Sequence, residues 1–176
     1  MKIKNTEYGF RLTVGASIRI AELCPNRDLS RISEAIEKNY GTKADLIMSR
    51  ILLELNAGYA AAEAYEGRAA ARLKLIDVLE LQPVEFGAAC DEAVQVFARD
   101  IDGEIEIVAK GKNNGSGGLI PSLPWFLYHG RCLGMSKAEI MITTVGEMSD
   151  MVACRMIEAG VAKEKKPKPT LEQIFF

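Results

Sequence analysis

One histidine, four cysteines and a scatter of carboxylates are the side chains of this 176-residue chain with the means to do chemistry. His129 and Cys132 lie three residues apart, a spacing that places both on one helix face, and with Cys154 they would form a nitrogen–sulfur donor set of the kind zinc prefers. A fourth ligand has no candidate. No two of Cys24, Cys90, Cys132 and Cys154 show the two-residue spacing of a zinc knuckle or redox motif. In a reducing compartment the thiols read instead as small buried hydrophobes. A nucleophile–base pair would have to use His129, whose nearest thiol shares its helix, a poor geometry for proton transfer. Gly115, Gly117 and Gly118 precede no Lys-Ser pair, so no phosphate-cradling loop is expected there. Glu34/Glu37 and Glu63/Glu66 sit where a solvated helix face would put them. The expectation is a protein that is not an enzyme and uses no metal or cofactor.

The bulk properties narrow the class further. With 48% hydrophobic and 26% charged residues the chain is ordinary for a soluble globular protein. A net charge of −2 supplies no general attraction for nucleic acid or an anionic membrane. Residues 1–7 hold no apolar core, so no signal peptide is expected, and no stretch approaches the roughly 18–20 apolar residues of a membrane span. A cytoplasmic protein is the reading.

The elements that must position these residues fall into three parts. A mainly helical body is expected over residues 1–109, with a short β element at its start. A flexible linker follows over 110–120, since Gly111, Gly115, Gly117 and Gly118 occur there without a large apolar side chain before Leu119. A small helical appendage then covers 121–176 and carries the only Trp, the only His and five of the seven Met. In the body, Tyr8, Phe10, Leu12 and Val14 alternate as in a strand or hairpin. A helix over 18–23 stops before Pro25, and Asp28 is placed to cap another over 29–39. Thr42 caps the longest helix, where Ile47, Met48, Ile51, Leu55, Tyr59 and Ala62 recur at helical spacing up to Gly67. Asp77 caps a short turn. Pro83 opens a further helix, because proline at the first position gives up only an already orphaned N–H. Residues 100–108 fit either a strand or a helical extension.

In the appendage, residues 124–133 read as a helix ended by Gly134. Ser136 and Glu139 form a capping box, in which each side chain satisfies the other residue's backbone N–H. A third helix over 146–162 carries Met148, Met151, Val152, Met156 and Ala159 on one face. Three features invite a partner. Methionine is flexible and polarizable, so Met148, Met151 and Met156, with Trp125 and Phe126, form either an adaptable binding surface or simple core filling. The lysine-rich run 163–168 either touches an acidic partner or is a solvated spacer. Phe175 and Phe176 either anchor a partner, pack back on their own chain or stay loose.

The succession Ile18-Arg19-Ile20-Ala21-Glu22-Leu23-Cys24-Pro25, Asp28-Leu29-Ser30-Arg31-Ile32, Leu55-Asn56-Ala57-Gly58-Tyr59 and Leu79-Glu80-Leu81-Gln82-Pro83-Val84-Glu85-Phe86 resembles the tail assembly chaperones of long-tailed bacteriophages of Gram-positive hosts. Pro124-Trp125-Phe126-Leu127-Tyr128, Leu133-Gly134-Met135-Ser136-Lys137-Ala138-Glu139 and Glu147-Met148 resemble the C-terminal extension of that family's long, frameshifted form. The resemblance implies a protein that coats the tape measure protein, keeps it soluble, recruits tail tube subunits in the host cytoplasm and is absent from the mature virion. It implies no cofactor, no nucleic acid and no membrane, and several copies arrayed along one tape measure chain. Partner contacts would fall to Trp125, Phe126, Met148, Met151, Met156, Phe175 and Phe176. The alternative is a tail completion or adaptor protein retained in the particle.

Overall fold

Two threonines outside the helix starts expected from the sequence hold the architecture together. In the computed structural model, which describes residues 2–3, 6–38, 42–109 and 122–165, Thr13 caps the first helix and Thr144 caps the last. Thr13 Oγ1 accepts from Ala16 N at 3.1 Å and Thr144 Oγ1 from Glu147 N at 3.1 Å. The two caps then pair with each other as an isolated antiparallel bridge. Val14 N donates to Thr143 O at 2.8 Å. Both hydroxyls are buried, so each must find its donor within the protein.

Among the described residues the fold is mainly α, with eight helices and two minimal antiparallel ladders. A hairpin of β1 (Lys2–Ile3) and β2 (Thr6–Glu7) opens the chain. Residues 8–12 belong to no regular element, and α1 covers Val14–Ala21. The expected alternation is correct for burial, since Tyr8, Phe10 and Leu12 all enter the core. It fails at Val14, which begins the helix instead of ending a strand. After two 3-10 turns, the second capped by Asp28, come α2 (Ile32–Glu37) and α3 (Thr42–Tyr65). Gly67 takes a positive φ just beyond α3, a conformation glycine reaches without steric cost.

A short α4 (Leu75–Leu79) leads into α5 (Pro83–Ile101). Asp77 acts from the third position of α4, accepting from Lys74 N at 3.0 Å. Residues 102–106 are irregular and β3 follows at Ile107–Ala109, so the region left open between strand and helix contains both outcomes in sequence. Then come α6 (Leu123–Cys132), α7 (Lys137–Ile142), α8 (Val145–Glu158) and β4 (Ala162–Glu164). The predicted capping box forms: Glu139 N donates to Ser136 Oγ at 3.2 Å and Ser136 N to Glu139 Oε2 at 2.6 Å. The last helix stops at Glu158, four residues short of expectation. Ala162 lies in β4, which pairs with β3 in the register Ile107↔Glu164, Val108↔Lys163 and Ala109↔Ala162.

That ladder bears on the expected separation of body from appendage. Residues 122–165 are knitted into what precedes them. α7 packs on α1 and α3, α8 packs on α5, and one hydrophobic core runs from Leu12, Ile20, Ile51 and Leu55 to Phe126, Ile140 and Met148. Gly146 shows how close the approach is, since a Cβ there would collide with the backbone carbonyl of Asp102. The proposed linker, 110–120, lies outside the described residues.

Candidate functional site

Placing the seven expected partner contacts on the fold divides them. Phe126 and Met148 are fully buried, each at 0% exposure, and belong to the core. For these two residues the structure shows core filling, one of the two readings the sequence left open: a unit that shares a core with its neighbours uses its largest apolar side chains to fill that core. Trp125, Met151 and Met156 are half-buried, with Trp125 and Met151 packed against the same core. Phe175 and Phe176 lie outside the described residues. The surface of α6 that remains open is led by Tyr128, 66% exposed, beside His129.

The alternative metal set is also distributed. The His129 ring lies against Trp125 with centroids 4.3 Å apart, while Cys132 and Cys154 border a cavity of about 390 Å³ between α6 and α8. Among the described residues no three His, Cys, Asp or Glu side chains are grouped closely enough to hold a metal ion. Cys24 and Cys90 have their thiols pushed up, by burial first and then by neighbouring carboxylates, Asp28 for one and Asp91 with Asp45 for the other. Such thiols are poor nucleophiles.

Polar side chains inside the fold serve its construction. Asn56 Nδ2 donates to Gly9 O at 3.0 Å and Ala71 O at 3.1 Å, and Asn56 Oδ1 accepts from Leu73 N at 2.7 Å. One buried amide thus holds two segments that belong to no helix or ladder. Asp100 does the same for the chain start, accepting from Leu12 N at 2.8 Å and Arg99 Nε at 2.6 Å. Arg11 Nη2 reaches both Glu147 oxygens, at 2.9 and 3.0 Å. Partial burial alone would raise the Glu147 carboxyl. Hydrogen bonds from Thr144 and the Arg11 guanidinium outweigh it and hold the group below the usual carboxylate range.

What the surface offers a partner is apolar, and it is concentrated. Four of the ten exposed large hydrophobics among the described residues, Leu75, Ile76, Leu79 and Val84, fall within ten consecutive residues spanning α4 and the start of α5. Val84 is 84% exposed. Leu46 and Tyr65 on α3 and Val94 on α5 are exposed as well. The sequence marks only a short turn capped by Asp77 here, because five residues carry too little periodicity to separate a core face from an outer one. A second feature is a groove of about 1000 Å³ between residues 7–10, the chain after α3 and the flank of α5. Tyr8, Phe10 and Tyr59 line it together with Glu7, Asp91 and Arg99. No helix among the described residues is long and apolar enough to cross a membrane. The chain matches no family model, no curated protein and no solved structure.

Proposed function

We propose that this chain is a phage tail assembly chaperone, which covers the apolar stripes of a tape measure protein until tube subunits replace it. The observation that carries the reading, beside the resemblance in sequence, is the exposed apolar run Leu75, Ile76, Leu79 and Val84. Patches of this kind mark surfaces that meet a partner. The sum is instructive: finishing the burial of four such side chains is worth roughly 1–1.5 kcal/mol each, or ~5 kcal/mol per copy. Association itself costs at least ~4 kcal/mol in lost freedom. A single copy therefore binds weakly, and holding on requires many copies along one filament. Weak individual contact is also what permits release, once tube polymerisation buries more surface than the chaperone does.

Tube recruitment falls to the outward side of α6, with Trp125 and Tyr128, since Phe126 and Met148 are committed to the core. On this account the protein works without catalysis or cofactor in the host cytoplasm and leaves before the particle is complete. A quantitative mass-spectrometric inventory of purified virions tests it against the retained adaptor. The proposal expects at most trace copies, and stoichiometric copies would replace it with the adaptor.

A further inference from the structure

The exposed apolar run on α4 and the start of α5 is framed by charges of both signs, and their order along the chain matters. Leu73 and Val78 are buried and Leu81 packs on the core, so α4 is pinned by its inner side while Leu75, Ile76 and Leu79 are held outward. Ahead of them stand two exposed cations, Arg72 and Lys74. Behind them stand two exposed carboxylates, Glu80 and Glu85, with Val84 between them in sequence. Glu85 accepts from Gln82 N at 2.9 Å, a bond to a neutral group that leaves its negative charge in place. Asp77, half-buried, accepts from Lys74 N at 3.0 Å and offsets only one of the two positive charges ahead of the run. The patch is therefore apolar in the middle, positive where the chain enters it and negative where the chain leaves.

A surface of that kind fits a turned-round copy of itself. When two identical patches meet across a two-fold axis, each residue finds its counterpart's neighbour reciprocally and the contact closes at two copies. Antiparallel approach sets the positive end of each patch on the negative end of the other, twice over, and covers the four apolar side chains of both. A partner carrying one sign of charge would match one end and be repelled at the other. Four apolar side chains a copy fall far short of the roughly 20–30 residues a side of a standard interface, so the pairing is weak and reversible. The charges are exposed, so added salt weakens it further.

We propose that the patch of Leu75, Ile76, Leu79 and Val84 is a self-complementary contact surface, covered in the free protein by the same patch of a second copy. Arg72 and Lys74 of each copy then face Glu80 and Glu85 of the other. The inference does not need the tail-assembly reading. Where that reading holds, self-association shields the apolar run until a partner competes for it.

The test is sedimentation equilibrium of the full chain over a concentration series at low ionic strength. No other protein is present, so its outcome is separate from that of the virion inventory. The parent should pass from 19.3 kDa toward twice that mass as concentration rises. Arg72→Glu/Lys74→Glu and Glu80→Lys/Glu85→Lys should each weaken self-association at least tenfold. An equimolar mixture of these two variants, one negative at both ends of the patch and the other positive at both, should form a dimer at least as tight as the parent's. Leu79→Glu/Val84→Glu should abolish association. All the altered positions are exposed, and recovery in the mixture shows that both charge-reversed variants are folded. A parent that stays monomeric, assemblies larger than a dimer, indifference to a charge reversal or to the apolar change, or a mixture that stays monomeric would each overturn the proposal.

Discussion

At the scale of single residues, this protein is held by polar groups that tie down segments belonging to no helix or ladder. Asn56 is the clearest case, because its amide is almost completely buried and makes three hydrogen bonds to backbone. Asn56→Leu would leave Gly9 O, Ala71 O and Leu73 N without partners in a dry site. Each such group costs about 1–3 kcal/mol, so the variant should lose at least ~3 kcal/mol. At roughly 2–4 °C per kcal/mol for a chain of this size, its thermal midpoint should drop by about 6 °C or more. A drop under about 2 °C in a circular dichroism melt would contradict the assignment. Glu147 acts differently, because its carboxyl is held below the ordinary range in the folded state. A depressed folded pKa means the contribution is complete above the unfolded value of about 4.3 and disappears as pH falls through the folded value. Glu147→Gln should therefore be less stable than the parent at neutral pH, and the difference should close on acidification below about pH 4. A gap that stays constant from pH 7 to pH 3 would show that the Arg11 and Thr144 contacts do not depend on the charge.

At the scale of elements, the Ser136–Glu139 capping box and the strongly periodic helices were legible and the joins between elements were not. α3, α5 and α6 appear within a few residues of expectation because their apolar spacing and punctuation by Pro83, Gly67 and Gly134 are local signals. Thr13 is not legible as a cap because Val14, the first residue of its helix, is followed by Gly15, Ala16 and Ser17, small residues that read as a turn. Only the fold shows that they are small because α1 is packed closely on other elements. β3 and β4 escaped for a different reason: a three-residue strand has no periodicity, and its partner lies more than fifty residues away. The candidate site was legible in chemistry but not in exposure. Aromatic and methionine positions at helical spacing identify a face without saying whether core or partner covers it, and for Phe126 and Met148 the cover is the core. This carries a prediction for α6. Phe126→Ala should cost about 3–5 kcal/mol, the usual range for a buried aromatic. It should lower the single main unfolding transition of the whole chain. A variant that melts in two steps, with the larger step unchanged, would mean that residues 122–165 fold apart from the rest.

At the scale of the whole molecule, one core joins the chain before residue 110 to the chain after 121, and the surface left over is uneven. Apolar exposure concentrates on α4 and the start of α5, away from the interior cluster of Phe126, Ile140 and Met148. A protein with a well-filled interior has no need of Leu79 and Val84 on its outside, and each is an aggregation risk that a transient partner would explain. Changing them should therefore harm binding while leaving the fold intact. Leu79→Glu/Val84→Glu should shift the thermal midpoint by no more than about 2 °C, because exposed positions away from special features contribute within ±0.5 kcal/mol each.

The proposed chaperone function is tested most directly by co-expression of the full chain with its proposed partner, a tape measure protein, scored by the soluble fraction of that protein and its co-purification. The account predicts that the parent chain keeps most of the partner soluble and bound, and that Leu79→Glu/Val84→Glu, equally folded, loses both. A tape measure protein that precipitates to the same extent with the parent chain, with the variant and alone would contradict it.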